Sequence, residues 1–262
     1  MSNDGDPADD APGVAAATLI LFSERDDQRA RHLMIQRTAK MRFAPNALVF
    51  PGGQVDADDH RIAEDPDLVD VELGDSLERA HRVTAIREML EEVGVPVGFE
   101  RPDSIDVPAM QAELKRRLPF SDILKTASAR LDLSGLRLWA QWHPRLAHRR
   151  FDTRFYIARY KGDHEVFADA DEVGEVRWLA ASEAIAEAEA GSAKIIFPTL
   201  CNLERLSAYP DFAAAAAHLA TVECRPISPR LHNDEQGNPC ISIPEDSGYP
   251  LTRRLLSTLQ AP

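Results

Sequence analysis

Arg87-Glu88-Met89-Leu90-Glu91-Glu92-Val93-Gly94-Val95 is the stretch on which the reading of this chain turns. At about 100° per residue, Val83, Ile86, Leu90 and Val93 fall on one face of a helix and Glu88, Glu91 and Glu92 gather on the opposite one. The pattern predicts a helix from about Leu77 to Val93 that buries one side, shows three carboxylates on the other, and stops at Gly94, where a left-handed cap is common. Acids at i, i+3 and i+4 repel one another, so a divalent cation among them would account for their grouping. Arg87, at the edge of that face, is placed to orient or partly neutralise a carboxylate. A solvated acidic face with a glycine cap is the plainer alternative.

The next stretch upstream with chemical content is Phe50-Pro51-Gly52-Gly53, where a short strand, Ala47 to Phe50, stops in a backbone that a ligand or metal can approach closely. That favours the cation cluster over the solvated face. The two elements together resemble the Nudix box, G-x5-E-x7-R-E-U-x-E-E-x-G-U, in which U is apolar. The resemblance covers residues 14 to 180 best. It implies an α/β Nudix fold, a mixed sheet sandwiched between helices, and Mg²⁺-assisted hydrolysis, with Mn²⁺ as a possible substitute, of a nucleoside diphosphate linked to another moiety. Carried over by position, it makes Gly53, Glu88, Glu91 and Glu92 the metal-site residues, and Glu88, Glu91, Glu92 and Arg87 the catalytic ones.

The chain departs from the box in two respects. Gly53 and Arg87 are separated by 33 intervening residues where the compact box has 13, so about twenty residues are inserted, read as an acidic loop over 54 to 76 with perhaps one helical turn and peripheral to the core. Eight residues before Arg87, where the box has its first glutamate, stands Arg79, with Glu78 beside it and Asp75 a turn earlier. The acid that usually supports the box loop is therefore expected to be missing. An insertion inside the box, the segment Arg150-Phe151-Asp152-Thr153-Arg154-Phe155 and a C-terminal extension resemble the coenzyme A diphosphatase branch of the family. That branch also carries L-L-T-x-R-[SA]-x3-R-x3-G-x3-F-P-G-G before its box. Here Leu33-Met34-Ile35-Gln36-Arg37-Thr38 leads through Arg42 and Asn46 to Phe50-Pro51-Gly52-Gly53, with Thr38, Asn46 and Ile35 as departures. Arg37 and Arg42 are thereby implied as substrate-binding residues, guanidinium being well suited to phosphate; exposed strand and loop arginines are the alternative.

The rest of the chain sets limits. Its 262 residues suit one principal core with additions. The net charge of −13 argues against a broad nucleic-acid surface, which needs clustered Lys and Arg. A small nucleoside-diphosphate substrate is the expected partner. No stretch approaches the roughly 20 apolar residues of a membrane span and the first ten residues are acidic, so a cytoplasmic protein is expected. Cys201, Cys224 and Cys240 are odd in number and widely spaced, which suggests reduced thiols.

Three parts are expected: a disordered 1 to 13, a Nudix domain over 14 to 180, and a helical and turn-rich extension over 181 to 262 packed on it. Strands are expected at 15–22, 32–36, 136–142, 153–160 and 173–179, and helices at 108–130, 181–190 and 198–220. Asp171, Glu172 and Glu175 lie where many Nudix enzymes place a further acid, though solvated turn residues explain them as well. His143 and His148, near Arg145, Arg149 and Arg150, suit either a phosphate or plain surface charge, and Asp152 with Arg154 suggests an internal ion pair. Coenzyme A or its thioesters, giving 3′,5′-ADP and 4′-phosphopantetheine, is the substrate the spacing favours. ADP-ribose, a dinucleotide or a nucleotide sugar, or a catalytically silent nucleotide-sensing module, are the alternatives.

Overall fold

The computed structural model describes residues 13–23, 29–41, 44–143, 151–162, 166 and 168–259. Arg42, His148, Arg145, Arg149, Arg150 and all but the last of residues 1 to 13 lie outside them. The elements in chain order are β1 (Val14–Ser23), β2 (Arg31–Arg37), β3 (Leu48–Val49), β4 (Gly52–Gln54), α1 (Ala57–Ala63), α2 (Ser76–Val93), α3 (Val107–Lys115), α4 (Phe120–Thr126), β5 (Arg137–Trp142), β6 (Phe151–Tyr160), β7 (Val173–Ala180), α5 (Ala181–Glu189), α6 (Phe197–Leu206), α7 (Phe212–Leu219), β8 (Pro226–Ile227), β9 (Arg230–Asn233), β10 (Pro239–Ser242), β11 (Arg253–Leu255) and α8 (Leu256–Leu259).

Eight strands form one mixed sheet, ordered β3-β2-β1-β6-β5-β8, with β4 added on β1 and β7 on β2. Its spine is the parallel pair β1 and β6, in register from Val14 opposite Phe151 to Ser23 opposite Tyr160. Successive side chains of a strand point to opposite faces, and both faces here are buried. Leu19, Leu21, Leu33, Ile35, Tyr156 and Ala158 therefore pack under α1 to α4, whereas Ile20, Phe22, Met34, Phe155 and Ile157 pack under α5 to α7 and the C-terminal segments. The result is a mixed sheet between helical layers, the architecture that the resemblance implies.

Several elements differ from expectation for local reasons. The 108–130 helix breaks into α3 and α4 at Arg117, whose φ of +61° closes the first helix, and Pro119, which precedes the second. The 198–220 helix breaks where Asp211 caps α7 through the amide of Ala214. Phe50-Pro51-Gly52-Gly53 does not merely end a strand, because Gly52 and Gly53 go on to pair with Thr18 and Ala17 as β4. The tail forms a three-stranded antiparallel sheet, β11-β10-β9. No helix among the described residues is long and apolar enough to cross a membrane.

The insertion contradicts the expectation of a peripheral loop. It contains α1 and sends Ile62, Ala63, Leu68 and Val69 into the core beneath the sheet. Two of its short apolar runs, Ile62-Ala63 and Leu68-Val69, face inward, and Val71 and Leu73 pack partly buried against the same core.

Candidate active site

Helix α2 brings the acids to the sheet. Asp75 caps it by accepting a 2.7 Å hydrogen bond from the amide of Glu78, and Gly94 closes it at φ +66°. The helix is not one-sided as its spacing suggested. Val83, Ile86, Leu90 and Val93 are buried, but so are Ala85, Met89, Arg87 and Glu92. Glu92 is only 3% exposed, and the side chains of Glu88 and Glu91 only 13% and 15%. The carboxylates line an interior cleft rather than a solvated face.

Strand β4 forms the opposite wall. A Cβ on Gly53 would lie 2.3 Å from Glu88 Oε1, so any side chain here would push the carboxylate out of its present place against the strand. One step earlier the amide of Gly52 donates to Glu92 Oε2 at 3.0 Å. A Cβ on Gly52 would meet the carbonyl oxygen of Ala17 on β1 at 2.4 Å, so that glycine is required by the strand pairing.

Arg87 sits at the centre. Its Nη1 donates to Glu88 Oε1 at 2.7 Å and reaches Glu91 Oε2 at 3.3 Å. Its Nη2 donates to the carbonyl of Gln54 at 2.9 Å. Its far side is gripped by Asp59, with Nε to Oδ1 and Nη2 to Oδ2 both at 3.0 Å. Asp59, with no exposed surface, also accepts from Thr84 Oγ1 at 2.8 Å and from the amide of Asp56 at 2.9 Å.

Asp59 corrects the sequence reading. It stands six residues after Gly53, the G-x5-E spacing of the box counted forward, while Arg79 appeared at that place only when counting backward from Arg87 across the insertion. Arg79 instead ties the insertion down, donating from Nε to Ala63 O at 2.7 Å and from Nη1 to Gly74 O at 2.6 Å. The supporting acid is present; what the insertion separates is Asp59 from its arginine. Counting from the glycine as well as from the arginine was the signal that could have found it.

Burial dominates the electrostatics of the cluster. Burial, opposed by Arg87 and reinforced by Glu91, pushes Glu88 up to about 7. Burial also raises Glu91 against the pull of Arg87. It raises Glu92 well above the carboxylate range, with the charge of Glu88 adding to it. Arg37 lowers Glu92, so this arginine faces the cluster, whereas Glu172 raises both Glu91 and Glu92. For Arg87, burial works to lower its basicity, but Glu88 and Asp59 outweigh that and hold it above its ordinary value.

Among the described residues no three His, Cys, Asp or Glu side chains converge closely enough to hold a metal ion. The geometry gives the reason, because Glu88 and Glu91 are drawn to Arg87 and Glu92 to the Gly52 amide. The donor set nevertheless fits a hard divalent cation, being carboxylate oxygens that burial leaves in need of a compensating charge.

Of the weaker candidates, Glu172 alone of the 171–175 acids bears on the cluster. Asp171 is engaged with Thr38, whose Oγ1 donates to its carbonyl at 3.1 Å. Arg154 pairs with Glu78, not with Asp152. Asp152 accepts from Gln141 at 3.0 Å and lies 3.4 Å from His143 Nδ1. The three cysteines are free.

No family model matches the chain. It is 29% identical over 212 residues to "Putative nudix hydrolase 7" of Caenorhabditis elegans, covering 76% of this chain and 62% of that protein. It is 26% identical over 223 residues to acyl-coenzyme A diphosphatase NUDT19 of Xenopus laevis, covering 66% of this chain and 59% of that protein. The chain thus spans about three fifths of the length of these curated relatives. A solved Nudix hydrolase from Alicyclobacillus acidocaldarius superposes with a TM-score of 0.70 at 26% identity, over 83% of this chain and all of that one. With glycine, aspartate, arginine and glutamates at the box positions brought to one cleft, the chain is similar to Nudix hydrolases in sequence, in fold and in the make-up of this cleft.

Proposed function

We propose that this protein is a Mg²⁺-dependent Nudix diphosphatase that cleaves the diphosphate linkage of coenzyme A or its thioesters, giving 3′,5′-ADP and a 4′-phosphopantetheine product. The observation that carries the hydrolase reading is the Arg87 hub, in which Asp59 holds one side of the guanidinium while Glu88 and Glu91 meet the other.

Glu88, Glu91 and Glu92 would hold the cation, with the Gly53 backbone against Glu88. Bound there, Mg²⁺ neutralises diphosphate oxygens and lowers the pKa of an attacking water. The chain's own residues supply the frame. Asp59 and the Gln54 carbonyl fix Arg87, and Arg87 fixes the rotation of Glu88 and Glu91. Glu92 is positioned by Gly52, so the cleft's two walls are linked through an acid. Glu172, whose charge both Glu91 and Glu92 feel, is the further acid able to receive the proton released by water.

Two observations support the coenzyme A assignment over ADP-ribose, dinucleotides and nucleotide sugars: the spacing of Arg37 and Arg42 to Phe50-Pro51-Gly52-Gly53, and the likeness to an acyl-coenzyme A diphosphatase. A catalytically silent module was suggested by Arg79 and the interrupted box, and the pairing of Asp59 with Arg87 weighs against the first of these grounds. The test is Glu91→Gln and Glu92→Gln, which keep shape and hydrogen-bonding capacity but remove charge. Each should lower turnover by roughly a hundredfold or more while the protein still unfolds in one cooperative transition. Near-wild-type turnover in both at saturating Mg²⁺ would refute the assignment.

A further inference from the structure

A cavity of about 310 Å³ opens beside Arg87 and Glu91, between α1 and the turn joining α3 to α4. Glu88, Glu92 and Gly53 do not line it, so a group held there is offset from the acids that face β4. Its walls are fixed in place. Asp58 of α1 accepts hydrogen bonds from the amide and the hydroxyl of Ser121 on α4, both at 2.8 Å, and so locks the insertion to the opposite wall.

Two arginines without an assigned role stand at this cavity. Arg61 comes from the insertion and its side chain is 69% exposed, with Nη2 3.0 Å from Asp58. Arg117 comes from the α3–α4 turn and is 78% exposed, with Nη1 3.8 Å from Glu91, beyond hydrogen-bond distance. A guanidinium has five N–H donors, so these contacts leave both with capacity for an anion. Three acids, Asp56, Asp58 and Glu91, balance three arginines around the cavity. A divalent cation at Glu91 would tip that balance to positive. Leu118, 40% exposed, and Pro119 add an apolar surface to the cavity against which a sugar or base can lie.

We propose that this cavity is a second anion subsite, in which Arg61 and Arg117 hold a phosphate monoester that the substrate carries outside its scissile diphosphate. The assignment rests on the coenzyme A reading, since coenzyme A bears such a group as its 3′-phosphate and ADP-ribose does not. It also gives the insertion a purpose: Arg61, two residues past Asp59, supplies one of the two cations.

The experiment is calorimetric titration of the intact protein, in Mg²⁺, with 3′,5′-ADP and with 5′-AMP, for wild type, Arg61→Gln and Arg117→Gln. Both side chains are largely exposed, so the variants should unfold at the wild-type midpoint, and Arg61→Lys, which keeps the charge, provides a second check by recovering part of the lost affinity. Each glutamine variant should bind 3′,5′-ADP roughly tenfold or more weakly, while 5′-AMP affinity changes by less than about twofold. Equal losses for the two ligands, or no loss for either, would overturn the subsite. The substrate reading fails separately. If wild type leaves coenzyme A uncut but the selective loss for 3′,5′-ADP holds, the subsite stands and the coenzyme A assignment falls. If coenzyme A is cut but neither variant discriminates the two ligands, the reverse is true.

Discussion

Asp59 and Arg87, 28 residues apart, meet in a two-pronged ion pair with both N–H···O distances at 3.0 Å, and the inserted segment lies between them in sequence. In a buried setting such a pair is costly to break from one side, because the surviving charge is left without a partner. Asp59→Ala should therefore lower stability by about 3–5 kcal/mol, read as a fall in the denaturant midpoint. Turnover should fall as well, since Arg87 loses the group that aims it at Glu88 and Glu91. Wild-type stability in Asp59→Ala would show that Arg87 is held by Gln54 and the glutamates alone.

The insertion should prove structural. Leu68 and Val69 are 3% and 0% exposed and pack in the core under the sheet, and the amide of Leu131 donates to Leu68 O at 2.9 Å. Leu68→Ala should cost about 2–5 kcal/mol, as for other buried leucines cut to alanine. An unchanged unfolding midpoint would return the segment to the periphery where its acidic composition had placed it.

How much of this was legible follows from where the information lies. The apolar alternation of β1, β2 and β6 and the caps of α2 are local signals, and the bounds of these four elements came out within a few residues, whereas the helices expected at 108–130 and 198–220 each proved to be two. The spacing of Glu88, Glu91 and Glu92 is likewise local to one helix. Asp59 was not legible in that way, because its partner is brought near only by folding, and a count across an insertion lands on the wrong residue, here Arg79. The burial of the acids was missed for a related reason: periodicity shows which residues share a face but not that β4 will cover it. Arg42 lies outside the described residues, so its assignment rests on spacing alone.

A pH effect on stability should come from His32. It is 1% exposed, its Nδ1 lies 3.1 Å from the Leu21 carbonyl, and its ring stands edge to face with Phe22 at 4.6 Å. Burial, only partly offset by the Leu21 carbonyl, lowers it to about 4. The unfolded chain then binds a proton near pH 6.5 that the folded chain refuses until about pH 4, so stability is full above that window and is lost as pH falls through it. Glu88, raised by burial, titrates in the opposite sense, and a comparison with His32→Leu removes that common contribution. Between pH 7.5 and pH 5 the stability of wild type relative to His32→Leu should drop by about 2 kcal/mol. A constant difference across that range would mean that His32 is protonated in the fold.

The central claim is a metal-dependent cut within a diphosphate linkage, and it is tested most directly by incubating the protein with Mg²⁺ and a panel of coenzyme A, an acyl-coenzyme A, ADP-ribose, a dinucleotide and a nucleotide sugar, with the products identified by mass. The account predicts 3′,5′-ADP and a 4′-phosphopantetheine product from the coenzyme A compounds at the highest kcat/KM of the panel, and loss of that activity with a chelator. ADP-ribose or a nucleotide sugar cleaved far faster than every coenzyme A compound would contradict the substrate assignment, and no Mg²⁺-dependent cleavage of any member would contradict the diphosphatase itself.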